Sequence, residues 1–235
     1  GVVHSDYPAV FWERMLLLLE DCQVINDIGC GPGAFALKAL EAGLRVQAVD
    51  ANRKNLQALK AKAEELQLDG KCDFFHHDWL EAEVDEADAS VAAYSFAGSI
   101  GSPAGLMKIV NTSRKAAFFI IPYELEKLEF LSGPLYKQLG IMPPCFSKPW
   151  PEAVAEILTA CHAKLQQATI DVLEYDFGIP LHKHDTHACA LFLSRKMGLE
   201  AVELLEEHIE KIKIVRNGST WVPNPRKSVL VTCLF

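Results

Sequence analysis

Apolar positions recur along this chain with two different periods, and the alternation between them sets out the architecture. Short apolar runs at 24–28, 45–50, 72–75, 90–96, 116–121, 170–177 and 228–235 have the length and composition of strands. Between them lie stretches with helical spacing. Phe11, Met15 and Leu18 share a face over 8–20, where Asp6 is the expected N-cap and Pro8 suits the first turn. Residues 34–42 form a helix closed by Gly43. Leu56, Leu59, Ala63 and Leu66 define a helix over 52–67, and Val154, Leu158, Cys161 and Leu165 one over 151–166. The run Ala188–Leu193 suits strand or helix by composition. Asp185 as N-cap and Gly198 as C-cap decide for helix, and Val202, Leu205, Ile209 and Ile212 predict a second helix behind it. Asn217-Gly218 marks a turn.

Strands alternating with helices predict an α/β fold, with a doubly wound seven-stranded sheet and helices on both faces. The whole chain, 1–235, reads as one domain with two insertions. The first, 122–151, carries six prolines with Tyr123, Phe130, Tyr136, Phe146 and Trp150 between them, and a short helix is expected near 124–131. The second, about 180–222, contains the helical pair at 185–213, which reads as a lid. Both are expected to cover substrate.

Composition narrows the function. Half of the 235 residues are hydrophobic and 23% charged, an ordinary globular balance. A net charge of −8 disfavours a nucleic-acid partner, whose phosphates are held by Lys and Arg. No apolar run approaches the ~20 residues of a membrane span, and no secretory signal is visible. The seven cysteines form no CxxC, so free thiols in a reducing cytoplasm are expected.

The chemistry concentrates in Asp27-Ile28-Gly29-Cys30-Gly31-Pro32-Gly33, between a strand and a helix. Glycines there permit a tight turn and close approach of a ligand to the backbone. Asp50, 21 positions beyond Gly29, ends the next strand, where a carboxylate can accept both hydroxyls of a ribose. An adenosine-containing ligand follows. Gly29-x-Gly31-x-x-Ala34 also satisfies the loose dinucleotide fingerprint, which leaves an NAD(P)-dependent oxidoreductase as an alternative.

The fuller pattern, D-x-G-x-G-x-G, resembles motif I of the class I S-adenosylmethionine (SAM) methyltransferases. Val49-Asp50 is similar to motif II and His77-Asp78-Trp79 to motif III. The chain-terminal strand resembles the one this family inserts antiparallel between strands five and six. Among its members, the bacterial small-molecule subgroup that includes quinone-type methyltransferases is the most similar. The resemblance implies a methyltransferase that releases S-adenosylhomocysteine. Gly29, Cys30, Gly31 and Gly33 would line the amino-acid half of SAM. Asp27 would organise the loop and meet the methionine ammonium through water. Asp50 and Ala51 would lie at the ribose, Asp78 would accept from the adenine amino group with Trp79 beside the ring, and Ser95 would sit near the sulfonium.

Further candidates lie on the substrate side. Tyr7, Phe11 and Trp12 of the first helix, together with Tyr123 and Glu124, are expected to contact the acceptor. Glu124, His182 and His184 are candidates for a base, against the plainer readings of a helix-start carboxylate and a solvated loop. His182, His184, Asp185 and His187 also have metal-ligand chemistry, but no distant ligand joins them and no metal is expected. Ala93-Tyr94-Ser95-Phe96 stands where amino-methylating enzymes carry Asn/Asp-Pro-Pro-Tyr/Phe, so adenine, cytosine and glutamine are disfavoured acceptors. Cys145 reads as a structural thiol. The expected partner is a small-molecule N, O, S or C acceptor, with the protein a monomer or homodimer. An RNA or protein methyltransferase and a catalytically silent SAM-binding protein are the remaining alternatives.

Overall fold

A computed structural model describes residues 6–96, 98–181, 185–216 and 218–235. In chain order its elements are α1 (Ala9–Leu16), β1 (Val24–Ile28), α2 (Ala34–Glu41), β2 (Arg45–Val49), α3 (Arg53–Glu65), β3 (Cys72–Phe75), β4 (Ala87–Ala93), α4 (Pro103–Asn111), β5 (Ser113–Pro122), α5 (Gly133–Leu139), α6 (Trp150–Cys161), β6 (Gln167–Asp176), β7 (Ile179–Pro180), α7 (Thr186–Met197), α8 (Val202–Ile212), β8 (Ile214–Arg216), β9 (Ser219–Val222) and β10 (Pro225–Leu234).

Seven strands form one sheet in the order β3-β2-β1-β4-β5-β10-β6. β1 pairs parallel with β2 and β4, β2 with β3, and β4 with β5. β10 runs antiparallel to β5 and lies between β5 and β6, as the resemblance implied. Right-handed crossovers explain the layering. The path from β1 through β2 to β3 moves one way and carries α2 and α3 to one face. The path from β4 to β5 moves the other way and carries α4 to the opposite face. The order reverses between β1 and β4, and ligands bind outside the carboxyl ends of the strands at such a point.

The chain divides into two compact units. The larger comprises Pro8–Tyr123, Ser147–Leu173 and Ser228–Phe235. One of its faces buries Ile28, Ala92, Phe119, Ile121, Val229 and Val231 under Leu106 and Ile109 of α4 and Val154 and Ile157 of α6. The opposite parity (Ile25, Ala48, Phe118, Ile120, Leu230) is buried as well, so the strands are apolar on both sides. A polar ladder crosses this core. The Gln47 amide donates to Asn26 Oδ1 at 2.9 Å, Asn26 Nδ2 donates to Ser90 Oγ at 3.4 Å, and the Ser90 and Ser113 hydroxyls bond at 2.7 Å. Each group is buried, and each finds its partner on a neighbouring element.

The smaller unit comprises Gly1–Tyr7, Glu124–Phe146 and Glu174–Lys227. It has its own core, in which Phe130, Leu135 and Tyr136 meet Ala190 and Leu193 of α7 and Leu205 and Ile209 of α8. β7, β9 and β8 form a three-stranded sheet within it. Asp176 ties the unit together. It accepts from Gly178 N and Asn224 N on one oxygen, and from Trp221 Nε1 and Arg216 on the other.

Several expectations need correction. Asp6 does not cap α1: Pro8 occupies the N-cap position without a side-chain bond, and the Asp6 carboxylate goes to Arg216 and to Asp176 N. α1 ends at Leu16 rather than at residue 20. No helix covers 124–131. A single 3-10 turn stands at Glu129–Leu131, with Phe130 and Leu131 at φ 53°, and the helix of this insertion is α5. α4 was not expected. Its signal is Ser102-Pro103, where Ser102 Oγ accepts from Gly105 N at 3.0 Å. The second insertion holds a small sheet besides its helices. α7 is a helix as expected, with the Asp185 carboxylate accepting from Ala188 N at 2.9 Å and Gly198 left-handed at its end.

Candidate functional site

The loop after β1 sits at the reversal point of the sheet. Asp27 lies near the end of β1, on the α2 side, and its carboxylate accepts from Ala36 N in the first turn of α2 at 2.8 Å. The side chain is buried, and desolvation pushes its pKa up to about 7, with the neighbouring Asp50 charge adding to the rise. Gly29 N and Cys30 N both donate to Val49 O, at 2.8 and 3.0 Å, which fixes the loop to β2.

The glycines serve separate ends. Gly29, Gly31 and Gly33 are left-handed, at φ 67°, 54° and 90°. A Cβ on Gly29 would lie 2.5 Å from Ser95 Cβ, and one on Gly33 2.2 Å from Leu59 Cδ1, so these two admit close packing by the protein itself. A Cβ on Gly31 would meet nothing within 4 Å. Open space at Gly31 leaves its backbone accessible to a ligand. Cys30 is buried, its thiol pushed well above the ordinary range by desolvation, so it is no nucleophile.

Asp50 closes the loop from the β2 side. Its Oδ2 accepts from Gly31 N at 2.7 Å and its Oδ1 from Asn52 N at 2.7 Å, while Asn55 Nδ2 straddles both oxygens at 3.3 Å. These contacts use the carboxylate's capacity. The long Asn55 contacts are the ones a ribose diol would displace. Ala51 lies beside it, exposed, with its carbonyl 3.2 Å from His76 Nε2. Asp78 accepts from Leu80 N at 3.0 Å and from Ser99 Oγ at 2.7 Å. Asn55 and Ser99 were not singled out in the sequence, because nothing in their spacing separates them from ordinary helix and turn residues.

Trp79 departs from expectation. It is 2% exposed, its indole N–H donates to Gly105 O at 2.9 Å, and Lys108 Nζ lies 4.5 Å from its ring centroid. The ring is a core anchor for the segment after β3 and has no open face for an adenine. Ser95 Oγ donates to Ile28 O at 3.0 Å, so it clamps the loop to the end of β1. β4 ends at Ala93, earlier than expected, because Tyr94 turns left-handed at φ 55°.

The acceptor-side candidates scatter. Tyr123 stacks on Trp150 at 5.7 Å and 21° within the larger unit, where Trp12 is buried in α1. Tyr7 packs against Tyr175 and Phe177 in the smaller unit, at 5.7 and 5.4 Å. Glu124 is exposed. His182 and His184 lie outside the described residues. His187 pairs with Glu206 on the surface, and Cys145 is exposed. Among the described residues, no three His, Cys, Asp or Glu side chains are grouped to hold a metal, and no helix is long and apolar enough to cross a membrane.

Comparison with known proteins agrees with this geometry. Residues 25–111 match the family described as methyltransferase domain. No curated protein sequence is significantly similar to the chain. Among solved structures, the YcgJ protein from Bacillus subtilis is similar at a TM-score of 0.57 and 12% identity, covering 94% of this chain and 96% of that one. Magnesium protoporphyrin IX methyltransferase from Synechocystis, with bound S-adenosylhomocysteine, gives 0.53 and 13% over 96% of this chain and 79% of that one. Geranyl diphosphate C-methyltransferase from Streptomyces coelicolor gives 0.52 and 14% over 96% and 77%. At such identities the likeness is one of fold. The matched span runs from β1 to the end of α4 and takes in the glycine loop, Asp50 and Asp78. Residues 25–111 thus resemble a methyltransferase domain, and the chain shares the fold of these structures.

Proposed function

We propose that the protein is a SAM-dependent methyltransferase acting on a small molecule. The observation that carries this reading is the loop itself. Gly31 presents an open backbone between a buried Asp27 and an Asp50 carboxylate that already grips the loop, all inside the methyltransferase domain. The residues suit the cofactor. Asp50 and Asn55 would hold the ribose, Asp78 and Ser99 the adenine edge, and the Gly29–Gly33 backbone the methionine half. SAM bound there supplies a methyl group already activated on a sulfonium. The protein's part is alignment: it fixes the loop, seats the acceptor in line and excludes water. Porphyrin and geranyl diphosphate are named as acceptors among the structural relatives, and a small molecule fits this acidic chain better than a nucleic acid. Residues 122–151 and about 180–222 are our proposed cover of the acceptor. A reducing, cytoplasmic setting agrees with seven free cysteines.

Calorimetry tests the reading. S-adenosylhomocysteine is expected to bind in about the micromolar range, near 8 kcal/mol, and NADH not at all. Tight NADH binding with no heat from S-adenosylhomocysteine would overturn it.

A further inference from the structure

The segment after β3 makes a single helical turn that is capped at both ends. Asp78 opens it. Its Oδ1 accepts from Leu80 N at 3.0 Å, and its carbonyl accepts from Glu81 N and Ala82 N, each at 3.0 Å. Lys108 closes it. From the last turn of α4 its Nζ donates to Trp79 O at 2.6 Å, to Ala82 O at 2.5 Å and to Leu80 O at 3.3 Å. An ammonium has three donors, and here all three meet carbonyls of this one turn. The same ammonium lies 4.5 Å from the centroid of the Trp79 ring, whose N–H donates to Gly105 O, three residues before Lys108 in α4. Ordering a long lysine and stripping its water is unfavourable, and burial holds the Lys108 pKa below the usual lysine range. At the other end of the turn, Ser99 Oγ donates to Asp78 Oδ2 at 2.7 Å. Ser99 is itself tied to the start of α4, because Ser102 Oγ donates to its carbonyl at 2.6 Å. α4 and the residues just ahead of it thus grip the 78–82 segment by its carboxylate, its indole and its carbonyls.

We propose that Lys108 and Ser99 are positioning residues that make the Asp78 carboxylate a fixed acceptor for the amino group of a 6-aminopurine, and so set the nucleobase specificity of the cofactor site. This rests on the methyltransferase reading, in which Asp78 meets the adenine edge. Among the described residues each Asp78 oxygen has one protein donor, which leaves each a further lone pair. A 6-aminopurine offers an N–H to that acceptor. A 6-oxopurine turns a carbonyl oxygen to it instead, and two facing acceptors leave the carboxylate unpaired. The discrimination depends on a carboxylate that stays in place. On a loose turn, Asp78 would swing away from a carbonyl at little cost. Held by Ser99 on Oδ2 and by the Lys108-capped turn on Oδ1, it does not. Trp79 then serves the base without touching it, as the buried link between the Asp78 turn and α4.

The test is calorimetry with S-adenosylhomocysteine and S-inosylhomocysteine, whose purines carry an amino and an oxo group at the same carbon, on the wild type, Lys108→Met and Ser99→Ala. Lys108→Met keeps an apolar stem over Trp79 and loses the donors. The wild type is expected to bind S-adenosylhomocysteine at least about tenfold more tightly than the inosyl compound. Each variant should weaken S-adenosylhomocysteine about five- to tenfold, the scale of one lost hydrogen bond, and the inosyl compound less than about twofold, so the ratio between the two ligands falls. A purely structural role lowers both affinities alike, or the melting temperature alone, and leaves that ratio where it was. An unchanged ratio in either variant overturns the proposal, and so does a wild type that binds the two ligands equally. Lys108→Arg keeps the charge but not the three-way geometry. It carries the test at that position, with a smaller fall in the ratio, if Lys108→Met does not fold. A wild type that does not bind S-adenosylhomocysteine overturns the underlying reading instead.

Discussion

Asp27 shows what one buried charge does to this molecule. Its carboxyl is pushed up to about 7 chiefly by desolvation, offset in part by the Ala36 N–H. In the unfolded chain the same group titrates near 4. Between these values the unfolded chain has released the proton and the folded chain has not, so stability falls as pH rises through that window and levels off above it. From this group alone the wild type should lose about 2–3 kcal/mol between about pH 5 and about pH 8. Asp27→Asn keeps an oxygen for Ala36 N and removes the titration. Urea unfolding at both pH values should therefore show the two proteins diverging in that range. Equal slopes would mean that Asp27 is already ionised in the fold. At this scale the sequence was partly legible. Asp27, Asp50 and the three glycines stood out because their chemistry is tied to fixed spacing. Trp79 did not read correctly, because an aromatic after a motif carries no mark of which way it faces. The left-handed turn at Tyr94, which ends β4 before residue 96, went unread because it has no composition signal at all.

Elements follow the same logic, with caps as the deciding feature. Asp185 and Asp6 are alike in sequence, each just ahead of an apolar helical stretch. Asp185 bonds Ala188 N and starts α7, whereas Asp6 is drawn to Arg216, a cation 210 residues away that no local reading could supply. The small sheet was missed for a similar reason, since β7 is two residues long and its pairing with β9 is non-local. The link between α2 and α3 yields a sharper expectation. Gly33 is the left-handed N-cap of α2, and Leu59 of α3 packs where a Cβ would project. Gly33→Ala should destabilise by about 1–2 kcal/mol from the backbone alone, with the overlap at 2.2 Å adding to it. Adding Leu59→Ala to Gly33→Ala removes the overlap but leaves the backbone term, so the double variant should cost less than the sum of its parts. Strict additivity in thermal melts would show that Leu59 yields freely and that only φ matters at Gly33.

Among the described residues, two cores stand out at the scale of the whole molecule. One is the sheet sandwich, in which the central strands β1, β2, β4, β5 and β10 are buried on both faces, with α4 and α6 packed on one of them. The second gathers Phe130, Leu135 and Tyr136 with α7 and α8. It is braced by ion pairs, Glu129 with Lys196 and Arg226, and Arg216 with Asp6 and Asp176. A core of fewer large side chains buries less apolar area and holds less free energy against opening. The sequence showed both groups of helices but not that each closes a core of its own, because burial depends on which distant segments meet. Native-state hydrogen exchange in low denaturant separates the two. Amides near Phe130, Leu193 and Ile209 should open together in a sub-global step, at lower free energy than those near Ile28, Phe119 and Val231. On the proposed reading, adding S-adenosylhomocysteine should slow exchange around Gly29–Gly33 and Asp50, which lie in the larger unit, first. A single opening energy shared by both sets of amides would mean that the two cores fold as one cooperative body.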